Sequence, residues 1–165
     1  MTISRAGFPR ANKALYDQLD LLHKYKGADQ SVTNSTVLVI DDTLQFPLLA
    51  NAKYSFEMYL QFTTTAAGDF KFRHVGPAAP TLVSIERRHW VPNTTTDVNA
   101  LDSAFSAGDV AIDGAAGTVG LIHMRGLIYN GANAGTFSLQ WAQNTANGTP
   151  AIVKAGSFVR AFRLN

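Results

Sequence analysis

Residues 53–64, Lys-Tyr-Ser-Phe-Glu-Met-Tyr-Leu-Gln-Phe-Thr-Thr, decide the fold. Tyr54, Phe56, Met58, Leu60 and Phe62 occupy every second position, with Ser55, Glu57, Tyr59 and Gln61 between them. Successive side chains on an extended chain point to opposite faces. A period of two therefore marks a strand with one face in a core and the other toward solvent. Gly135 to Asn144 repeats the pattern: Phe137, Leu139 and Trp141 share one side, Ser138, Gln140 and Ala142 the other. Weaker alternation runs through Val32–Ile40, Asp69–Val75, Leu82–Val91, Thr118–Tyr129 and Ser157–Leu164, with short edge pieces expected at Leu44–Leu48 and Val110–Asp113.

Turn-forming residues separate these runs: Ala66-Ala67-Gly68-Asp69, Gly76-Pro77, Asn130-Gly131 and Asn147-Gly148. About eight strands so spaced, with no helical pattern among them, predict an all-β antiparallel sandwich of the jelly-roll kind and exclude a parallel α/β layout. The polar stretch Pro92–Gly108 lacks alternation and reads as a long surface loop, a natural contact region.

The N-terminus reads differently. Met1–Arg10 carries Gly7, Pro9 and two arginines without periodicity, and predicts an extended arm ordered only by a neighbour. From about Asn12 to Lys26, Leu15, Leu19 and Leu22 fall at i, i+4 and i+7, the stripe of a short helix with Asn12 as N-cap and Gly27 as C-cap. Asp17 and Asp20 near its start, with Lys24 and Lys26 near its end, suit the helix dipole. So short a helix is marginal alone, so its leucines are expected to pack on the sandwich or on copies of themselves. The division expected is arm and helix over 1–30 and sandwich over 31–165.

With 165 residues, 46% hydrophobic and 16% charged, the chain can bury a core while displaying much uncharged polar surface. The balance of 14 Lys and Arg against 12 Asp and Glu leaves no basic stripe for nucleic acid, the densest basic groups being Arg87-Arg88 and Arg160 with Arg163. No cysteine is present, which removes disulfides, thiolate zinc sites and a cysteine nucleophile. Without an export-type apolar segment or a run near ~18 apolar residues, no membrane partner is expected.

Chemistry finds little purchase. His23, His74, His89 and His123 have no metal-binding spacing, and the last three fall inside strand patterns as packed or surface residues. Asp41-Asp42 would point to opposite faces of a strand and reads as a turn between two strands. No nucleophile elbow or phosphate-cradling glycine loop occurs. Neither an enzyme nor a metal or other cofactor is expected. Asn34-Ser35-Thr36, Asn93-Thr94-Thr95 and Asn147-Gly148-Thr149 match the glycosylation triplet but read as turns. Trp141 shares its strand face with Phe137 and Leu139 and belongs in the core. Trp90, beside Pro92, is the candidate for an exposed contact.

Two stretches carry a resemblance: 29–77, DQSVTNSTVLVIDDTLQFPLLANAKYSFEMYLQFTTTAAGDFKFRHVGP, and 135–164, GTFSLQWAQNTANGTPAIVKAGSFVRAFRL. Together they resemble a pattern of small virion proteins of tailed bacteriophages, the head-decoration proteins and tail-fibre heads. The resemblance implies a jelly roll, often trimeric, like tumour-necrosis-factor and C1q heads. It transfers no functional residue, and it leaves Ala78–Gly117 unmatched. The implied function is capsid decoration or cementing on the virion surface, by a protein made in the host cytoplasm. The partners implied are the major capsid protein and further copies of this chain, as a homotrimer. Ile3, Phe8 and Pro9 would be the arm's apolar anchors and Arg5 and Arg10 its charged contacts. The alternative is a receptor- or carbohydrate-binding fibre head. The start at Met1, the small size and the lack of a long shaft segment favour decoration.

Overall fold

The computed structural model describes residues 21–90 and 97–164. Twelve strands follow one another: β1 (Leu21–Tyr25), β2 (Gln30–Val32), β3 (Val39–Leu48), β4 (Lys53–Thr63), β5 (Phe70–Val75), β6 (Leu82–Trp90), β7 (Asp97–Asp102), β8 (Val110–Ile112), β9 (Val119–Tyr129), β10 (Gly135–Gln143), β11 (Ala151–Val153) and β12 (Phe158–Leu164). No helix occurs among the described residues. The large sheet runs β1-β12-β4-β9-β6-β7, with β11 also on β4 and β2 on β11; the small sheet runs β3-β10-β5-β8. Every pairing is antiparallel. The chain is an all-β, two-sheet antiparallel sandwich.

Alternation builds the core as expected. Tyr54, Phe56, Met58, Leu60 and Phe62 are all buried and face Phe46, Phe70, Phe137, Leu139 and Trp141 across the sandwich. Phe62 stacks on Phe70 with centroids 4.3 Å apart, Phe70 on Trp141 at 5.6 Å, and Phe46 on Phe137 at 4.9 Å. Such offset pairs add about 0.5–1.5 kcal/mol beyond area burial. Gln143, wholly buried, ties two turns together. Its Oε1 accepts from the N–H groups of Ser35 and Asn147, and its Nε2 donates to the carbonyls of Asn147 and Thr149.

Four expectations require correction. Residues 21–25, assigned to the end of a helix, form β1 on the edge of the large sheet, so the sandwich begins ahead of residue 31. Pairing with β12 satisfies the β1 backbone, whereas a lone helical turn would leave its end groups unpaired. The rest of the proposed helix lies outside the described residues. Val32–Ile40 is not one strand but two strand ends joined by a turn at Asn34, whose φ is +52° and whose N–H binds the carbonyl of Asn147.

Asp41 and Asp42 do not close a turn between strands; they sit inside β3. There Ile40 pairs with Gln140 and Gln45 with Ser138, so residues 41–44 bulge against Leu139 alone. Asp41 supplies turn chemistry within the strand, its Oδ1 accepting the N–H groups of Thr43 and Leu44 at 3.0 and 2.9 Å. Finally, the middle of the expected loop 92–108 is β7. It pairs with β6 and is stitched to it by ion pairs of Arg88 with Asp97 and Arg87 with Asp102. Its side chains alternate poorly because little of them enters the core.

Candidate interaction surface

The outward side of the large sheet carries the most distinctive arrangement in the molecule. The registers set Tyr25, Phe158, Tyr59, His123 and Arg88 side by side across β1, β12, β4, β9 and β6. The Tyr59 ring stacks on His123 at 4.2 Å and on Phe158 at 5.3 Å, while His23 meets Phe158 edge-on at 6.0 Å. Tyr25 is 64% exposed at the rim. His23, Tyr25, Phe158, Arg160 and Phe162 line an open depression of about 400 Å³.

The next row of the same face is a charge ladder. Arg160 lies opposite Glu57, Glu57 opposite Arg125, and Arg125 opposite Glu86. Arg160 pairs with Glu57, Arg125 pairs with Glu86 at 2.8 Å, and Glu57 also meets His123 Nε2 at 3.1 Å. Phe162 and Leu127 continue the apolar character beyond the ladder, at the positions facing Ser55. Outward aromatics and arginines are enriched in contact surfaces relative to solvated faces.

The inward polar groups are of another kind. His74 is 5% exposed and sits edge-on to Phe105 and Phe137, with its Nε2 lacking a hydrogen-bond partner and 3.6 Å from Asp102 Oδ2. Burial pushes its pKa down to about 4, against the pull of Asp102. Arg87 grips both Asp102 oxygens, at 2.9 and 3.2 Å. His89 is likewise held below its ordinary value, by burial first and by Arg87 next. These groups keep a neutral imidazole at neutral pH in a niche of about 150 Å³. Among the described residues, no three His, Asp or Glu side chains come together as a metal site.

Lys26 forms the second buried knot. It is 1% exposed, and its Nζ lies 3.2 Å from both oxygens of Asp41, donates to Gln30 Oε1 at 3.0 Å and also pairs with Asp42. Asp41 is wholly buried and Asp42 is 65% exposed. The two acids do point apart, yet one ammonium reaches both. This clamp holds the chain after β1 against the bulge of β3.

Of the site residues singled out in the sequence, Leu22 is on β1, not on a helix, and packs against the core. Trp90 ends β6, half-buried, with the Arg88 guanidinium 4.9 Å over its ring. Ile3, Arg5, Phe8, Pro9, Arg10, Leu15 and Leu19 lie outside the described residues. The aromatic row was missed although part of its signal was legible. Tyr59 stands on the polar side of its strand, and Phe158 and Phe162 flank Arg160 at alternate positions. That these belong to one row depends on the β1-β12-β4-β9 order.

No family model matches the chain, and no curated protein matches it. Among solved structures, the chain is similar to the tripod (BppUct-A-L) from the baseplate of bacteriophage Tuc2009, with 9% identity and a TM-score of 0.34, covering 92% of this chain and 68% of that one. It is also similar to a structure of infectious bursal disease virus Gx strain, with 10% identity and a TM-score of 0.19, covering 87% of this chain and 42% of that one. Likenesses of this size assign neither family nor function, and the reading of this chain rests on its own geometry.

Proposed function

We infer that this chain is a structural virion protein, a jelly roll that decorates and cements a phage capsid as a homotrimer, contacting the major capsid protein through the arm of residues 1–10. The observation that carries the reading is the strand path. With the β2–β11 pair and the β6–β7 hairpin set aside, the remaining strands follow the order first-eighth-third-sixth in one sheet and second-seventh-fourth-fifth in the other. That path supports a jelly roll, an architecture recurrent in capsid proteins. The phage assignment is supported by the resemblance of residues 29–77 and 135–164 to small virion proteins.

Both sheets and the described core are built from residues 21–164, and the first strand among them is a sheet edge. A segment joined to an edge strand can reach a neighbouring surface without crossing the sandwich. Three such arms on one trimer would bind with high effective concentration, raising avidity by about 10²–10⁴ over a single arm.

Deleting residues 1–10 tests the proposal. The truncated protein should remain folded with an unchanged oligomeric mass, and should no longer add to empty capsids in a sedimentation assay. Undiminished capsid binding would overturn it.

A further inference from the structure

We propose that the outward face of the large sheet is the surface through which neighbouring copies of this chain bind one another, with the aromatic row as anchor and the charge ladder as alignment device. The inference goes beyond the homotrimer reading above: a face complementary to itself pairs copies about a two-fold axis, so it would join trimers in pairs rather than close a three-fold ring, and it is independent of the arm.

Three observations commit the face to a second copy. The first is composition. Tyr25, Tyr59, Phe158 and Phe162 point away from a core that is already complete, and aromatic residues of this kind dominate the energetics of contact surfaces. The second is charge. Read from β12 to β6 the ladder is Arg160, Glu57, Arg125, Glu86, with signs alternating and summing to zero. A copy that faces it with its ladder reversed, or displaced by one strand, sets every overlapping arginine against a glutamate. The face is thus complementary to itself. Arg88 in the aromatic row is itself paired with Asp97, so a polyanion or an acidic partner would meet acids as well as bases.

The third is size. β4 has eleven residues. β1, β12, β9 and β6 have five, seven, eleven and nine. At about 3.3 Å per residue and about 4.8 Å between strands, the face covers roughly 700 Å². That is close to the share of one partner in a standard interface, about 800 Å².

The test uses the full chain and two charge variants. In E57K/E86K all four rungs are positive, and in R125E/R160E all four are negative. These rungs are half-buried or exposed surface pairs, whose loss costs a monomer little, so both variants should fold and keep the far-ultraviolet circular dichroism of the wild type. Analytical ultracentrifugation should find the wild type as paired trimers. Each variant alone should be weakened by at least about tenfold, the factor that about 1.4 kcal/mol gives. An equimolar mixture of the two should recover the complex. A third variant, Y25S/F158S, should weaken association without rescue by either charge variant.

If the wild type stops at a trimer, or if all variants assemble equally well, this surface is wrong while the homotrimer reading survives. If the wild type is monomeric throughout the micromolar range, both fall. Binding of a glycan to Tyr25 by a monomeric wild type would likewise overturn the proposal.

Discussion

Two ion-pair systems in this sandwich are built from the same chemistry and behave in opposite ways. The Lys26–Asp41 pair is sealed from water, each oxygen of Asp41 lying 3.2 Å from the ammonium. The Arg160–Glu57–Arg125–Glu86 ladder lies on the open face of the large sheet. Inside, solvent cannot replace a lost partner, so the pair fixes which two pieces of chain must meet. Outside, water and salt compensate each charge. The ladder therefore adds little to folding and keeps its charges available for another surface.

The sharpest way to break this contrast is to remove Lys26. Lys26→Met leaves Asp41 buried without its counter-ion and should lower stability by about 3–5 kcal/mol. Chemical denaturation measures it, and adding Asp41→Asn to the same chain, which removes the charge but keeps an oxygen for the Thr43 and Leu44 N–H groups, should restore part of the loss. If the single variant costs under about 1 kcal/mol, the clamp does not organise the bulge of β3.

His74 provides an intermediate case, a buried group whose neighbour carries charge. Its pKa of about 4 in the fold lies below the unfolded value of about 6.5. Between those values the unfolded chain binds more protons, so stability is complete above about pH 6.5 and falls as pH drops toward 4. The integrated loss is about 3 kcal/mol. His74→Phe should flatten this limb when unfolding is followed against pH, and an unchanged pH profile would assign the acid sensitivity to other groups.

The smallest effect belongs to the ladder. Arg125→Ala should change folding stability by about 0–1 kcal/mol, an effect that fades at high salt. A larger, salt-independent loss would mean that the ladder behaves like the buried clamp.

The alternation in 53–64 and 135–144 made the sandwich and most of its core legible, because a strand with one buried face leaves a period of two that no other element imitates. Where one face is not paid for by core contacts the signal fades, as in β7, which is held by backbone pairing and two arginine–aspartate contacts. Leu22 illustrates the opposite failure. Its spacing from Leu15 and Leu19 satisfies a helical stripe, but Leu22, His23, Lys24, Tyr25 and Lys26 also alternate across a strand, and the open edge of β12 selects that pattern. Local propensity is a weak prior against such an edge.

By itself, then, the sequence determined an all-β chain with a packed aromatic core, because burial imprints its period on neighbouring residues. Tertiary structure alone decided which strands adjoin. Lys26 meets Asp41 across fifteen positions, and Arg160, Glu57, Arg125 and Glu86 become one row only through β12-β4-β9-β6 pairing. Pairing is a long-range choice set by the total burial and hydrogen bonding of both sheets, so no local stretch of sequence records it.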